Sequence, residues 1–268
     1  MRKWIHIFLL LLLPVVAQVC AAEEGASTNK LWFSVGEKLT YRIYWGVIPI
    51  GSSVVSTEWI EENGRKLIAI RFRTRTTDFM TKVYPVDDFL ESVIDPETFL
   101  PLRFVKRLSE GKYRCDELTT FDHAKRKSVW TSKMNGKVKE FDIDADTRDI
   151  ITFMYFMRSE KLLPKTTTNF RVMSDERVYD LVVKAGEIEK FRVSDFGWVK
   201  SLRLEPEAAF QGVFVRKGKV TMWISNDERR ICTKMAARVP VASVSLLLTK
   251  VDGPGDDFWT RGGHKDEE

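Results

Sequence analysis

The sequence predicts a mainly β protein, built on a large curved antiparallel sheet or half-open β-barrel with one apolar helix packed on or across it. Three observations carry this. Apolar residues recur at every second position over most of the chain after Glu37. Turn signals such as Asn63-Gly64, Glu110-Gly111 and Asn135-Gly136 punctuate the chain at the short, regular intervals of a meander. A single segment, at about 147–159, breaks the two-residue period.

Residues 1–22 read as an export signal. Arg2 and Lys3 precede the apolar run Phe8–Val16, and Ala21 or Ala22 offers a small residue for cleavage. Pro14 interrupts the run, which falls short of the roughly 20 residues of a membrane span. Ala17-Gln18-Val19 lacks the small residue that a lipoprotein signal places before its cysteine, here Cys20. The expected location is therefore the periplasm, with no transmembrane segment in the mature chain. Residues 23–30 read as a tail, 31–253 as one β-rich domain of two meander halves, and 254–268 as a disordered tail.

In the first strand Leu39, Tyr41, Ile43 and Trp45 share one face, and Thr40, Arg42 and Tyr44 share the other. The corner Gly46-Val47-Ile48-Pro49-Ile50-Gly51 that follows is apolar where a surface turn normally carries charge. Its glycines permit a positive φ or a close backbone approach, and Pro49 suits a turn or an edge. Val47 and Ile48 should then pack on the rim of the sheet, touch a membrane or partner there, or tuck under a neighbouring loop. In the third strand Ile68, Ile70, Phe72 and Thr74 alternate with Arg71, Arg73 and Arg75, the pattern of a sheet with one wet face. Paired strands follow around Glu110-Gly111 and Asn135-Gly136. The helix over 147–159 carries Ile150, Ile151, Phe153, Met154, Phe156 and Met157, with Asp146 or Thr147 as its cap and Pro164 beyond its end. A helix apolar over most of its circumference must be buried or lie across an apolar surface. Strands return after Pro164 and run to the last hairpin.

Charge and motif content narrow the function. The formal charge of +5 falls to +3 once Arg2 and Lys3 leave with the signal, and the basic residues are scattered over strands, which argues against nucleic acid. Three histidines, of which His6 lies in the signal and His264 in the tail, supply no zinc spacing; no metal or cofactor is expected. There is no nucleophile elbow, P-loop or dinucleotide fingerprint. Asp87-Asp88, Asp116-Glu117 and Asp227-Glu228 are carboxylate pairs that could serve hydrolysis, though turn and solvent roles weigh more for the first and the last. Cys115 and Cys232 remain after cleavage, either bridged or buried as two thiols.

The apolar inventory is more informative. A dry face holding Trp45, Trp59, Phe72, Phe89, Phe104, Trp198 and Leu246 must be covered, and one helix covers only part of it. Either the core is filled, or the curved sheet wraps around a pocket for an apolar ligand.

The chain also resembles bacterial exported proteins grouped as domain of unknown function 3108. The opening "FSVGEKLTYRIYWGVIPIGSS", the mid-chain "DIITFMYFMR" and the closing "VTMWISNDERRICTKMAARVPVASVSLLL" carry the resemblance. The matching residues are Phe33, Gly36, Glu37, Leu39, Tyr41, Trp45, Gly46, Gly51, Trp223, Ser225, Asp227, Arg229 and Arg230. Cys232 and Ala242 depart from it, standing where the family has Pro and Gly. The resemblance implies no activity; in general design it is similar to curved-sheet envelope proteins such as lipoprotein carriers.

The functional expectation is non-catalytic binding of an apolar or amphipathic ligand (a lipid, an acyl chain or an envelope polymer) in the concavity of the sheet. Tyr41, Trp45, Val47, Ile48, Trp59, Phe72, Phe89, Phe104, Phe153, Phe156 and Trp223 are the expected lining or rim. The alternatives are a scaffold with a filled core that binds an envelope protein, and a hydrolase using Asp87, Asp88 or Asp116.

Overall fold

The computed structural model describes residues 31–174, 176–193, 196–207, 219–239 and 242–254. The expected export signal over 1–22, the expected 23–30 tail and all but the first residue of the expected 254–268 tail lie outside them. The first meander runs through β1 (Lys38–Trp45), β2 (Ile48–Glu62), β3 (Arg65–Thr76), the one-turn helix α1 (Asp78–Thr81), β4 (Asp87–Ile94), β5 (Pro101–Glu110), β6 (Tyr113–Asp122), β7 (Lys127–Ser132) and β8 (Val138–Asp142). A short β9 (Arg148–Asp149) and helix α2 (Ile150–Phe156) follow. The second meander comprises β10 (Thr167–Ser174), β11 (Arg177–Arg192), β12 (Trp198–Glu207), β13 (Lys219–Ser225), β14 (Cys232–Val239) and β15 (Ala242–Asp252).

These strands make one sheet in the order β8-β7-β6-β5-β4-β3-β2-β1-β15-β14-β13-β12-β11-β10-β9. The two meanders become one sheet because β1 pairs antiparallel with β15, from Lys38↔Asp252 to Trp45↔Val244. All ladders are antiparallel except β9 against β10, a two-residue parallel rung that makes the sheet mixed. The sheet coils until its far strands meet. The Ser128 hydroxyl of β7 lies 3.0 Å from the sulfur of Met173 on β10, and Arg171 pairs with Asp144 at 2.6 Å. The end strands β8 and β9 are not paired with each other, so the barrel is half open.

The alternation read from sequence sets the faces. Leu39, Tyr41, Ile43, Ile68 and Ile70 are buried on the concave side. The arginines between them point outward into cross-strand ion pairs, Arg71 with Glu58 and Glu91 and Arg73 with Asp87. Such exposed pairs contribute little each; their use is to keep the convex face wet and the register unambiguous.

Helix α2 plugs one end of the coil. It is shorter than the 147–159 expectation because Arg148 and Asp149 are held extended against Val172 and Met173. Asp149, not Asp146 or Thr147, is therefore the cap. Its fully buried carboxylate accepts from the Ile151 and Thr152 amides at 2.8 and 3.0 Å, and from the Thr152 and Ser92 hydroxyls at 2.7 and 2.6 Å. Burial raises its pKa, and these donors oppose the rise. Asp149→Ala removes the cap and leaves the buried Ser92 and Thr152 hydroxyls, 2.8 Å apart, with only each other; we expect a loss of about 1–3 kcal/mol in urea unfolding.

Candidate functional site

Helix α2 fills its own end of the coil. Between it and the sheet lies a pocket of about 30 Å³, beside Tyr41, Met154, Tyr155 and Arg158, room for about one water. The opposite end is open. There the concave faces of β5, β4, β3, β2, β1, β15, β14 and β13 surround a cavity of about 710 Å³. Ser53, Phe72, Met235 and Leu246 form its floor, shared with the space at the helix. Ile43, Leu90, Leu108, Val220, Ala237 and Val244 make the walls. Met80 of α1, Val83, Tyr84 and Val86 beyond it, and Trp45 stand at the mouth.

One polar row crosses this apolar wall. Ser53, Thr74 and Asp88 are successive cross-strand neighbours on β2, β3 and β4. The Thr74 hydroxyl donates to the Ser53 hydroxyl at 2.9 Å, and Asp88 accepts from the Ser109 amide at 2.9 Å. Glu110 joins Asp88 in lining the cavity. Burial pushes the Asp88 carboxyl up to about 6, the Ser109 amide opposes it, and the neighbouring Glu110 adds to the rise. An acid whose pKa is raised on folding costs no stability below its unfolded value and costs most above its folded one. Asp88→Asn should therefore raise the melting temperature at pH 8, and the gain should vanish near pH 4.

The other expected residues divide. Tyr41 is buried on the cavity side of β1, at the plug end, where its hydroxyl donates to the Cys232 carbonyl at 2.9 Å. Trp45 and Phe72 line the cavity. Val47 and Ile48 are 90% and 57% exposed beside the mouth, so the corner is not tucked under a loop. Gly46 takes φ +58°, and a Cβ at Gly51 would meet the Arg75 carbonyl at 2.5 Å, the two glycine roles expected there. Phe104 and Phe153 are filled core, and Phe156 packs edge-on to Trp32 and Phe170. Trp59 is 44% exposed, under the Lys66 ammonium.

Phe89, Trp198 and Trp223 do not join the dry face. Phe89 alternates with the cavity-lining Asp88 and Leu90, so it faces outward beneath Arg107. Trp223 alternates with the buried Met222 and Ile224, and its N–H donates to Glu189 at 2.7 Å. Trp198 is 56% exposed. Cys115 and Cys232 are free thiols, not a bridge; six strands lie between β6 and β14 in the sheet. Burial raises each to about 12. Of the carboxylates weighed for hydrolysis, Asp88 alone reaches the cavity; Asp87 and Asp116 pair outward with Arg73 and Arg107. Among the described residues no three His, Cys, Asp or Glu side chains cluster as metal ligands.

Sequence reasoning missed a buried ion cluster at the plug. Glu37, fully buried, accepts from Arg158 at 2.6 and 3.0 Å and from Arg229 at 2.7 Å. Burial pushes its carboxyl up, and the two guanidinium groups outweigh this and hold it below the usual range. Asp227 accepts from the Arg229 and Arg230 amides at 2.9 and 3.1 Å, and Arg230 donates to the Arg158 and Ser159 carbonyls at 2.9 and 3.0 Å. Phe33 packs edge-on to Tyr155 at 4.9 Å. Of the residues behind the sequence resemblance, Phe33, Glu37, Asp227, Arg229 and Arg230 thus converge on the plug.

Comparisons with known proteins agree with this architecture. A family model described as "Protein of unknown function (DUF3108)" matches residues 40–249. No curated protein matches the chain. Among solved structures the chain is similar to a crystal structure of a β-barrel-like protein of domain of unknown function DUF1849 from Brucella abortus. That similarity has a TM-score of 0.56 at 14% identity, covering 82% of this chain and 98% of that one, and it concerns the fold alone. No described helix is long and apolar enough to cross a membrane.

Proposed function

The chain belongs to the DUF3108 family of proteins of unknown function, and from its own geometry we propose that it binds one amphipathic, lipid-like ligand at the open end of its sheet, without catalysis, in the periplasm. The observation that carries this reading is the cavity of about 710 Å³, within the roughly 300–1,000 Å³ typical of small-molecule sites. A scaffold with a filled core has no use for such a space, and leaving it empty forfeits packing contacts along its walls. The polar row Ser53-Thr74-Asp88 favours an amphipathic ligand over a wholly apolar one. Its hydroxyls can meet a polar head, and the Asp88 and Glu110 carboxyls favour a head that donates hydrogen bonds. Export by the N-terminal signal is part of the same reading, supported by residues 1–22.

Titration with a fluorescent acyl probe tests it. One saturable site per chain, with energy transfer from Trp45 lost in Trp45→Phe, is the expected result. Probe binding that neither saturates nor competes with unlabelled lipid would refute it.

A further inference from the structure

Three adjacent connections ring part of the cavity mouth. The β1–β2 turn carries Trp45, Val47 and Ile48; the β3–β4 connection carries Phe79, Val83 and Tyr84; the β5–β6 turn leads into Tyr113. They touch one another. The Thr77 amide donates to the Ile50 carbonyl at 2.9 Å, and the Gly111 amide donates to the Pro85 carbonyl at 2.8 Å. Their apolar side chains are ordered by chemistry. The wholly apolar Val47, Phe79 and Val83 are 90%, 73% and 70% exposed, while the amphipathic Trp45, Tyr84 and Tyr113 are 46%, 51% and 41% exposed.

We propose that this end of the protein docks on a lipid bilayer, with Val47, Phe79 and Val83 entering the acyl region and the cavity mouth facing the membrane. Aliphatic and Phe side chains outermost, with Trp and Tyr behind them, is the order in which a bilayer interface sorts these residues. Exposed Lys82, Lys112 and Arg114 stand on the same connections, against the exposed acid Asp78, and attract anionic headgroups. The mouth opens among these side chains, so a chain leaving the cavity would pass into lipid without crossing water. This deepens the cavity reading by naming where ligand is exchanged, while docking itself needs no bound ligand.

The test is co-sedimentation of the chain recovered after export with phosphatidylethanolamine–phosphatidylglycerol vesicles, all variants sharing one N-terminus. The wild type should sediment with vesicles, and Val47→Asp/Phe79→Asp should lose at least tenfold in vesicle partitioning. Neither residue lines the cavity, so acyl-probe binding and the melting temperature of the double variant should match the wild type. A wild type that stays in the supernatant, or a double variant that sediments equally, overturns docking. The two readings fail separately: vesicle binding with no probe site sinks the cavity reading alone, and a probe site without vesicle binding sinks docking alone.

Discussion

Glu37→Ala is expected to destabilise the protein by about 3–5 kcal/mol, the range for removing one partner of a buried ion pair. At about 2–4 °C per kcal/mol for a domain of this size, the melting temperature should fall by about 6–20 °C. The reason lies in what remains. Arg158 is 4% exposed in its side chain and would keep the Arg229 carbonyl in place of a carboxylate for a full charge. Glu37 precedes β1, Arg158 follows α2 and Arg229 sits in the β13–β14 turn, so one carboxylate joins three segments distant in sequence. Glu37→Met/Arg158→Met should recover part of the loss, because it removes the nearly fully buried Arg158 charge that Glu37→Ala leaves behind, although Arg229 still loses its carboxylate. The effect must depend on pH. A carboxyl held below its ordinary value of 4.5 stabilises the fold above that pH, and the contribution is lost as pH falls through the folded value. Wild type and Glu37→Ala should therefore converge in acid. Equal melting temperatures at pH 7 would show that the cluster is not what closes the plug.

Filling the cavity should abolish binding while leaving the fold intact. Ala237→Trp, on β14, and Leu108→Trp, on β5, each place an indole in the space from opposite ends of the strand run that surrounds it. In a packed core an added ring costs about 1–3 kcal/mol or more through forced rotamers. Here the ring occupies free volume and buries apolar surface, so stability should hold or rise slightly. Acyl-probe affinity should fall at least tenfold in either variant. Ile68→Trp is the contrast: Ile68 is fully buried where the sheet is filled, and that variant should unfold at much lower urea. If Ala237→Trp unfolds as readily as Ile68→Trp, the open end is an ordinary core.

The strands and most of their facing were legible because a period of two states both directly. Leu39, Tyr41, Ile43 and Ile68, Ile70, Phe72 alternate without interruption, and the structure puts them where alternation did. Phe89 and Trp198 are expected on the dry face, and Trp223 in the lining, from residue type alone; parity with Leu90 and Met222 turns Phe89 and Trp223 outward. Aromatic rings under a cation tolerate the convex face, as Phe89 under Arg107 does. The pairing of β1 with β15 left no local trace, since it joins residues more than 190 positions apart. Neither did the Glu37–Arg158–Arg229 cluster, although its three members lie in or beside the segments that carried the family resemblance. The cavity was legible only as a surplus of apolar surface over what one helix can cover. Its position was not, because nothing local says which end a plug helix occupies.

A ligand held at the open end should travel with the protein through purification. The most direct measurement is the native mass spectrum of the chain, purified from cells without detergent and compared with Ala237→Trp. The wild type should carry one non-covalent adduct of lipid-like mass, released by organic solvent and missing from Ala237→Trp. A bare wild-type mass in repeated preparations, or an adduct equally present in the filled variant, would contradict a ligand at the open end.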